Sequence, residues 1–423
     1  MTNSLQDEQA RWVVARFGAY MHYAVPRILQ HAGRLERFYT DFYAGTVATR
    51  FLSLIPKRWR SSAINRALGR STPDLPLDRI WSYPLLGVEY YVRQARARDP
   101  EERSAVFLLA GSKFGKLVTR DGFGNARAVY GFNTEALELL QAAKQQGLVT
   151  TLEQTIAPRA LEEELLTEEH RRFPRWEPAR VQGPSTVKTI ERERAEWELA
   201  DLIVCGSEFV RQGVGHCGGP AQKCLVVPYG VDARFSRAVR STHSGPLRVL
   251  SVGEAGLRKG IPYAAETARL LGDLAEFRWV GPVRLLPDAR KYVEQFVQLT
   301  GGIPRNQIFS HFEWADVFFL PSVCEGSATV TYEALISGLP VIATPNTGSI
   351  VSDDVNGYVV PMRDTQAMAD KLRRLHVEHG LLSQMQKAAL GNAKMATLEG
   401  YGHRLLRALS KGVAIHNFTT DGD

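Results

Sequence analysis

Cysteine is scarce: the chain has four in 423 residues, too few for the disulfide framework that staples small secreted domains. Cys205, Cys217 and Cys224 lie near one another and His216 precedes Cys217, yet no C-x-x-C pair or zinc-ligand spacing occurs. They read as small buried apolar residues in a reducing compartment, and no metal is expected. Long apolar runs are missing too. No stretch reaches the ~18–20 residues a membrane-spanning helix needs, and the opening residues, MTNSLQDEQARW, carry charges but no apolar signal core. A secreted or membrane-spanning protein is therefore disfavoured and a cytoplasmic location expected. No repeat of about 20–50 residues is present, which excludes solenoids and propellers. No G-x-G-x-x-G follows a strand, which removes the NAD-enzyme reading, and no nucleic-acid recognition motif occurs.

What is present is the composition of an ordinary globular protein, with 44% hydrophobic and 23% charged residues. The length predicts two or three domains. The net charge of +7 is uneven: residues 1–100 hold 15 Lys and Arg against 8 Asp and Glu, and the remaining 37 of each sign balance. Such asymmetry points to an acidic partner, whether nucleic acid, an anionic membrane surface or a phosphorylated substrate.

Short apolar runs alternate with helical patterns, the signature of β-α units around a parallel sheet. In the first half RWVVARF (11–17), AVFLLAG (105–111), ARAVYGF (126–132), LVTTLEQ (148–154) and DLIVCGS (201–207) read as strands. NTEALELLQAAKQQG reads as a helix that Thr134 caps and Gly147 ends, and 189–200 as another. The charge-rich stretch 158–200 reads mainly as a solvated helical face. Residues 232–246 are polar and aperiodic, a linker. Beyond it LRVLSVG (247–253), FRWVG (277–281), DVFFLPS (316–322) and PVIAT (340–344) read as strands, with helices at 261–272, near 287–299, at 327–337 and at 365–376, and further helix to about 411. The fold class is α/β: two Rossmann-like doubly wound lobes facing across a cleft. The first lobe covers 1–235, the second 246–395, and a last helix with its tail 396–423. Ligands in such folds bind beyond the carboxyl ends of the strands.

The chemistry concentrates in DVFFLPSVCEGSATVTYEALISGLPVIATPNTG (316–348). A strand ends at Pro321 and Ser322, a loop carries Glu325 and Gly326, and a helix opens near Ser327. The amides of Ser327, Ala328 and Thr329 make a positive helix start suited to a phosphate or sugar oxygen. Gly326 allows close backbone approach, and Glu333 lies two turns along. Two glutamates in this setting, with P-S before, E-A after and SGLPVIAT…TG following, resemble the signature of retaining family 4 glycosyltransferases of the GT-B fold. The similarity runs from about Leu247 to Leu409 and more thinly back to about Glu191.

The resemblance implies that Glu333 binds the donor's ribose hydroxyls, that Glu325 lies at the donor sugar, and that the Ala328 and Thr329 amides face the diphosphate. In SVGEAGLRKG (251–260), Lys259 matches the second of a basic pair that neutralises the departing diphosphate. Glu254 stands where the first is usually an arginine, so either Arg258 substitutes, or Glu254 points away, or the donor is held differently. PYGVD (228–232) is similar to the passage between the lobes, and LEGYGHRLLRAL (398–409) to a last helix that crosses back.

The first 190 residues match poorly, which suits a lobe built for the acceptor. Gly18 stands where relatives carry a glycine-rich loop near acceptor and diphosphate, and His22, in the same turn, is a candidate to face the cleft. Many relatives have a histidine after a later strand, near the donor sugar; in this chain Glu153 or Gln154 is the candidate to take its place. The stretch 37–60, with six aromatics and with Arg50, Lys57, Arg58 and Arg60, has the mix found at anionic lipid interfaces.

The expected function is retaining transfer of a sugar from a nucleotide diphosphate to a hydroxyl of a glycan or lipid-linked acceptor, in surface or exopolysaccharide synthesis. No cofactor or metal is expected, in keeping with the lack of a D-x-D pair near a strand end. The expected partners are the nucleotide sugar, the acceptor and an anionic membrane surface on which the protein is peripheral, and no nucleic acid. The alternatives are a GT-B epimerase or phosphorylase and a noncatalytic nucleotide-sugar-binding protein.

Overall fold

Buried parallel strands need helices on both faces, and the alternation of apolar runs with amphipathic segments supplies them. The computed structural model describes residues 10–46, 49, 55–60, 62–180, 182–232 and 245–420. Among these, the first lobe carries strands β1 (Trp12–Arg16), β2 (Leu35–Thr40), β3 (Ile80–Ser82), β4 (Ala128–Phe132), β5 (Val149–Gln154), β6 (Leu202–Cys205) and β7 (Cys224–Val226). They form one sheet in the order β3-β2-β1-β4-β5-β6-β7. Its helices are α1 (Ala24–His31), α2 (Ser62–Leu68), α3 (Pro84–Arg96), α4 (Pro100–Asp121), α5 (Leu137–Gln145), α6 (Arg159–Arg172), α7 (Pro184–Leu199) and α8 (Glu208–His216).

The second lobe has strands β8 (Leu247–Val252), β9 (Ala275–Val280), β10 (Val297–Leu299), β11 (Val317–Leu320), β12 (Val341–Ala343) and β13 (Gly357–Val359). Their order is β10-β9-β8-β11-β12-β13. Helices α9 (Ile261–Leu271), α10 (Pro287–Val293), α11 (Ile308–Trp314), α12 (Thr329–Ile336), α13 (Thr365–Val377) and α14 (Leu381–Gly391) accompany it, and α15 (Leu398–Thr420) follows. Every pairing in both sheets is parallel. The order reverses between β1 and β4 and again between β8 and β11, the places where a doubly wound sheet opens a crevice. The helix α15 packs on α1 and β5 of the first lobe, and Arg34 donates to Ser410 across that seam at 3.2 Å.

Four expectations from the sequence need correction. The run 105–111 is helix, in the middle of α4. Asp99 caps that helix by accepting from the Glu102 amide, Pro100 stands in its first turn, and Ala110, Phe114 and Val118 are buried at helical spacing. The helix expected near 287–299 stops at Val293, and 297–299 is strand β10 beside β9. Thr134 does not cap α5. The Glu196 carboxylate does, accepting from the amides of Thr134, Ala136 and Leu137 at 2.7–3.1 Å, and Gly147 follows the helix at φ +68°.

The stretch 158–200 is also not a solvated face. Glu163, Glu169, Glu193 and Glu196 are all buried, because their oxygens meet partners on neighbouring elements. Glu193 accepts from the Asn133 and Gln154 side chains and from the Arg159 amide. Glu196 lies under α5, where burial, against the pull of Arg192, pushes its pKa up to about 8.

Candidate functional site

The adjacent strands β8 and β11 end side by side, so the loops that follow them converge. After β8, residues Leu257–Lys259 make one tight turn that Gly260 ends at φ +76°. A Cβ on Gly260 would stand 2.0 Å from the Pro321 carbonyl, and one on Gly253 would stand 2.5 Å from the Lys259 side chain. Gly260 is therefore required for the close approach of the two loops, and Gly253 leaves room for the Lys259 side chain. They bring Lys259 Nζ to 2.7 Å and Arg258 Nη1 to 2.9 Å from Glu325 Oε1. Lys259 is only 8% exposed. Burial alone would raise the Glu325 pKa, but Lys259 and Arg258 together hold it below the ordinary carboxylate value.

Glu254 turns to Arg284 at the surface, 3.2 Å away. Glu254 thus faces away from this cluster, and Arg258 stands beside Lys259 on the same carboxylate. Arg258 is fastened there further, since its Nη1 donates to the Cys324 carbonyl and its own carbonyl accepts from the Val323 amide.

Helix α12 starts at Thr329, with Ala328 before it. The Ala328 amide donates to the Thr347 carbonyl at 3.1 Å, so it is not free to face a diphosphate as the resemblance implies. Ser327 Oγ lies 2.6 Å from the Tyr332 hydroxyl and donates to the Gly348 carbonyl. Glu333 is 3% exposed. Arg305, from the turn after β10, donates to Glu333 Oε1 at 2.6 Å. Burial raises the Glu333 pKa and Arg305 offsets part of that rise.

The first lobe meets this site directly. The Glu325 carbonyl accepts from the Ala157 amide at 3.3 Å, and the Gly326 carbonyl accepts from the Ser207 hydroxyl. A Cβ on Gly326 would fall 2.1 Å from the Thr155 carbonyl, so only glycine fits between the lobes here. Gly18, at φ +99°, donates its amide to Asp41 at 2.8 Å. Met21, His22 and Tyr23 follow with φ of +45°, +52° and +62°, three non-glycine residues in a left-handed conformation that side chains resist. His22 is exposed and stacks on Tyr23.

Glu153 does not reach the cleft. It is buried in β5 with its oxygens on the Tyr130 and Tyr229 hydroxyls at 2.6 and 2.8 Å, and burial raises its pKa. Gln154 is equally occupied, by Glu193 and Trp197.

Comparison with known proteins bears on the second lobe first: residues 246–377 match the family model described as glycosyl transferases group 1. That lobe is a glycosyl transferases group 1 domain. The amylovoran biosynthesis glycosyltransferase AmsK of Erwinia amylovora is 31% identical over 175 residues, 37% of this chain and 43% of the relative. WcaL of Escherichia coli K12, a candidate colanic acid biosynthesis glycosyltransferase, is 33% identical over 189 residues, 41% of this chain and 47% of WcaL. The matched region thus spans less than half the length of these curated relatives. Among solved structures, Anabaena Alr3699/HepE in complex with UDP-glucose aligns with a TM-score of 0.59 at 14% identity, covering 95% of this chain and all of that one. Sucrose-phosphate synthase from Thermosynechococcus elongatus aligns at 0.61 and 15% identity, covering 93% and 97%. These likenesses establish the two-lobed GT-B fold.

Within the group 1 domain the sequence singled out Glu325, Lys259, Arg258 and Glu333 as candidates but not Arg305. Its signal is faint: one arginine in a P-R-N-Q turn, reaching a glutamate 28 positions on. Equally hidden was the clamp from α6, where buried Glu169 accepts from the Tyr263 hydroxyl and from Arg363 Nε, both at 2.7 Å and both in the group 1 domain. Glu177 accepts from the Leu257 amide at the start of the Arg258–Lys259 turn.

Proposed function

We propose that this protein is a retaining glycosyltransferase that moves a sugar from a nucleotide diphosphate to a hydroxyl of a glycan or lipid-linked glycan in exopolysaccharide synthesis. One observation carries the reading: two cations and a carboxylate meet at the carboxyl ends of the central strands β8 and β11, beside a helix whose second turn buries Glu333. As the bond to the anomeric carbon breaks, negative charge grows on the leaving diphosphate. Lys259 and Arg258 are the groups placed to stabilise it in a largely water-excluded setting. In the described arrangement both cations rest on Glu325, so a donor diphosphate competes with that carboxylate for them.

Glu325, once relieved, orients a hydroxyl of the transferred sugar, and Glu333 receives the ribose hydroxyls. With two side-chain cations on the diphosphate, the reaction needs no metal ion. The AmsK and WcaL likenesses favour an exopolysaccharide acceptor, and the UDP-glucose complex of the HepE neighbour favours a nucleotide sugar as donor.

The first lobe supplies the acceptor side, and its basic surplus suits a membrane surface. Trp59 is 68% exposed with Arg58 stacked on it, while residues 50–54 of that stretch lie outside the described residues. Among the described residues, no helix is long and apolar enough to cross a membrane.

The experiment is incubation with a panel of nucleotide sugars and glycan acceptors, with proton NMR of the new linkage. Transfer with the donor's anomeric configuration kept is the expected result. Inversion, epimerised donor or phosphate-dependent cleavage contradicts the reading. Sedimentation with anionic vesicles, in wild type and with Lys57, Arg58 and Arg60 made neutral, tests the membrane part, and unchanged binding refutes it.

A further inference from the structure

Where the end of α6 meets the group 1 domain, a groove of about 570 Å3 opens, a size typical of ligand clefts at domain boundaries. Phe173 and Trp176 come from the first lobe, and Tyr263 and Tyr292 from α9 and α10. Their rings form one continuous wall: Phe173 to Trp176 at 5.2 Å, Trp176 to Tyr292 at 5.9 Å and Phe173 to Tyr263 at 5.5 Å. The groove shares no lining residue with the Arg258–Lys259–Glu325 cluster.

The wall is held in place before any ligand arrives. The Trp176 carbonyl accepts from the Leu286 amide at 2.8 Å. The Tyr263 hydroxyl is fixed by Glu169, which also holds Arg363. Arg175, just before Trp176, sits at φ +64°. Preformed aromatic surfaces lose little conformational freedom on binding. Tyr292 is 37% exposed and open to contact.

The polar lining decides the class of ligand. The lining carries two cations, Arg175 and Arg363, and two carboxylates, Glu266 and Asp288; Arg363 is paired with Glu169 and Glu266 with Arg269, so no surplus of either sign is left. A phosphate or other anion would favour a surplus of cations, and an acyl chain would avoid four charged groups. Flat aromatic faces, negative at their centres, suit the polarised C–H faces of a pyranose. Carboxylates and guanidiniums at the rim suit its hydroxyls.

We propose that this groove is a second carbohydrate site, holding a neutral stretch of the growing glycan apart from the donor site. It rests on the transferase reading only for the origin of that chain. The test is saturation-transfer NMR and tryptophan fluorescence with neutral hexasaccharides: maltohexaose, cellohexaose and mannohexaose. At least one is expected to bind, with affinity roughly tenfold weaker in Tyr292→Ala and in Asp288→Asn, restored in Tyr292→Phe, and unchanged in Glu325→Gln and Glu333→Gln. Failure of all three sugars to bind overturns the inference, as does equal binding in Tyr292→Ala and wild type, or loss of binding in Glu333→Gln. Hexasaccharide binding by a protein that transfers no sugar leaves the groove standing and refutes only the transferase reading.

Discussion

Replacing Lys259 with alanine removes the ammonium 2.7 Å from Glu325 and leaves Arg258, at 2.9 Å, as that carboxylate's remaining cation. At an effective dielectric near 20, the bare attraction at this separation is about 6 kcal/mol. Desolvation cancels much of it. Breaking a buried pair costs ~3–5 kcal/mol when one charge is orphaned, and Arg258 keeps Glu325 from being orphaned, so the stability loss falls at or below the low end of that range. The catalytic loss is separate. Without Lys259 the diphosphate leaves against less positive charge, and kcat should fall about 10²–10³-fold.

Adding Glu325→Gln in the Lys259→Ala background takes the carboxylate partner from Arg258 as well, so it should lower stability further and should not restore kcat. Urea unfolding and initial transfer rates measure the two quantities side by side. A Lys259→Ala protein that is destabilised yet keeps kcat within about threefold of wild type would show the cluster to be a structural ion pair, and the reasoning would be wrong.

Three further outcomes are expected. Arg305→Ala removes the cation that offsets burial at Glu333; the Glu333 pKa rises further, so the acidic limb of donor affinity moves to higher pH, and Arg305→Lys moves it back, as calorimetry across pH will record. Gly326→Ala drives a methyl group into the Thr155 carbonyl and should cost ~1–3 kcal/mol of stability while separating the lobes, read by urea unfolding and small-angle scattering. Glu135, whose pKa burial pushes up to about 7, favours the fold most below its unfolded value near 4.5 and loses that advantage as pH rises through about 7. Across that window wild type should lose about 3 kcal/mol relative to Glu135→Gln, checked by urea unfolding at pH 5 and pH 8.5.

Much of this fold was legible because parallel strands buried on both faces are written as short apolar runs, and β1, β4, β5, β6, β8, β9, β11 and β12 all stand on such runs. Where the run itself was the only guide, it misled: AVFLLAG is as apolar as a strand, and only D-P-E-E at 99–102 marks it as the inside of α4. The short edge strands β3, β7, β10 and β13 have three residues each, too few to show a period.

The site divides in the same way. Glu325 and Glu333 sit in one passage, 316–348, and Lys259 in another, 251–260, each a local pattern of strand, loop and helix start. Partners contributed from distant positions left no such trace. Arg305 reaches Glu333, Glu169 reaches Tyr263 and Arg363, and Ser207 reaches Gly326 only because two sheets and a returning helix bring them together. Glu153 was misjudged for a physical reason as well. Strand alternation assigns it a face, but only the assembled tyrosines show that this face is closed.

Lys259, Arg258, Glu325 and Glu333 are expected to hold a nucleotide sugar. Calorimetric titration of UDP- and GDP-sugars into wild type, Lys259→Ala, Glu333→Gln and Glu254→Gln tests it most directly. One of these donors should bind wild type and Glu254→Gln alike and bind Lys259→Ala and Glu333→Gln at least about tenfold more weakly, the loss of one charged contact. Equal affinity in all four proteins would contradict it.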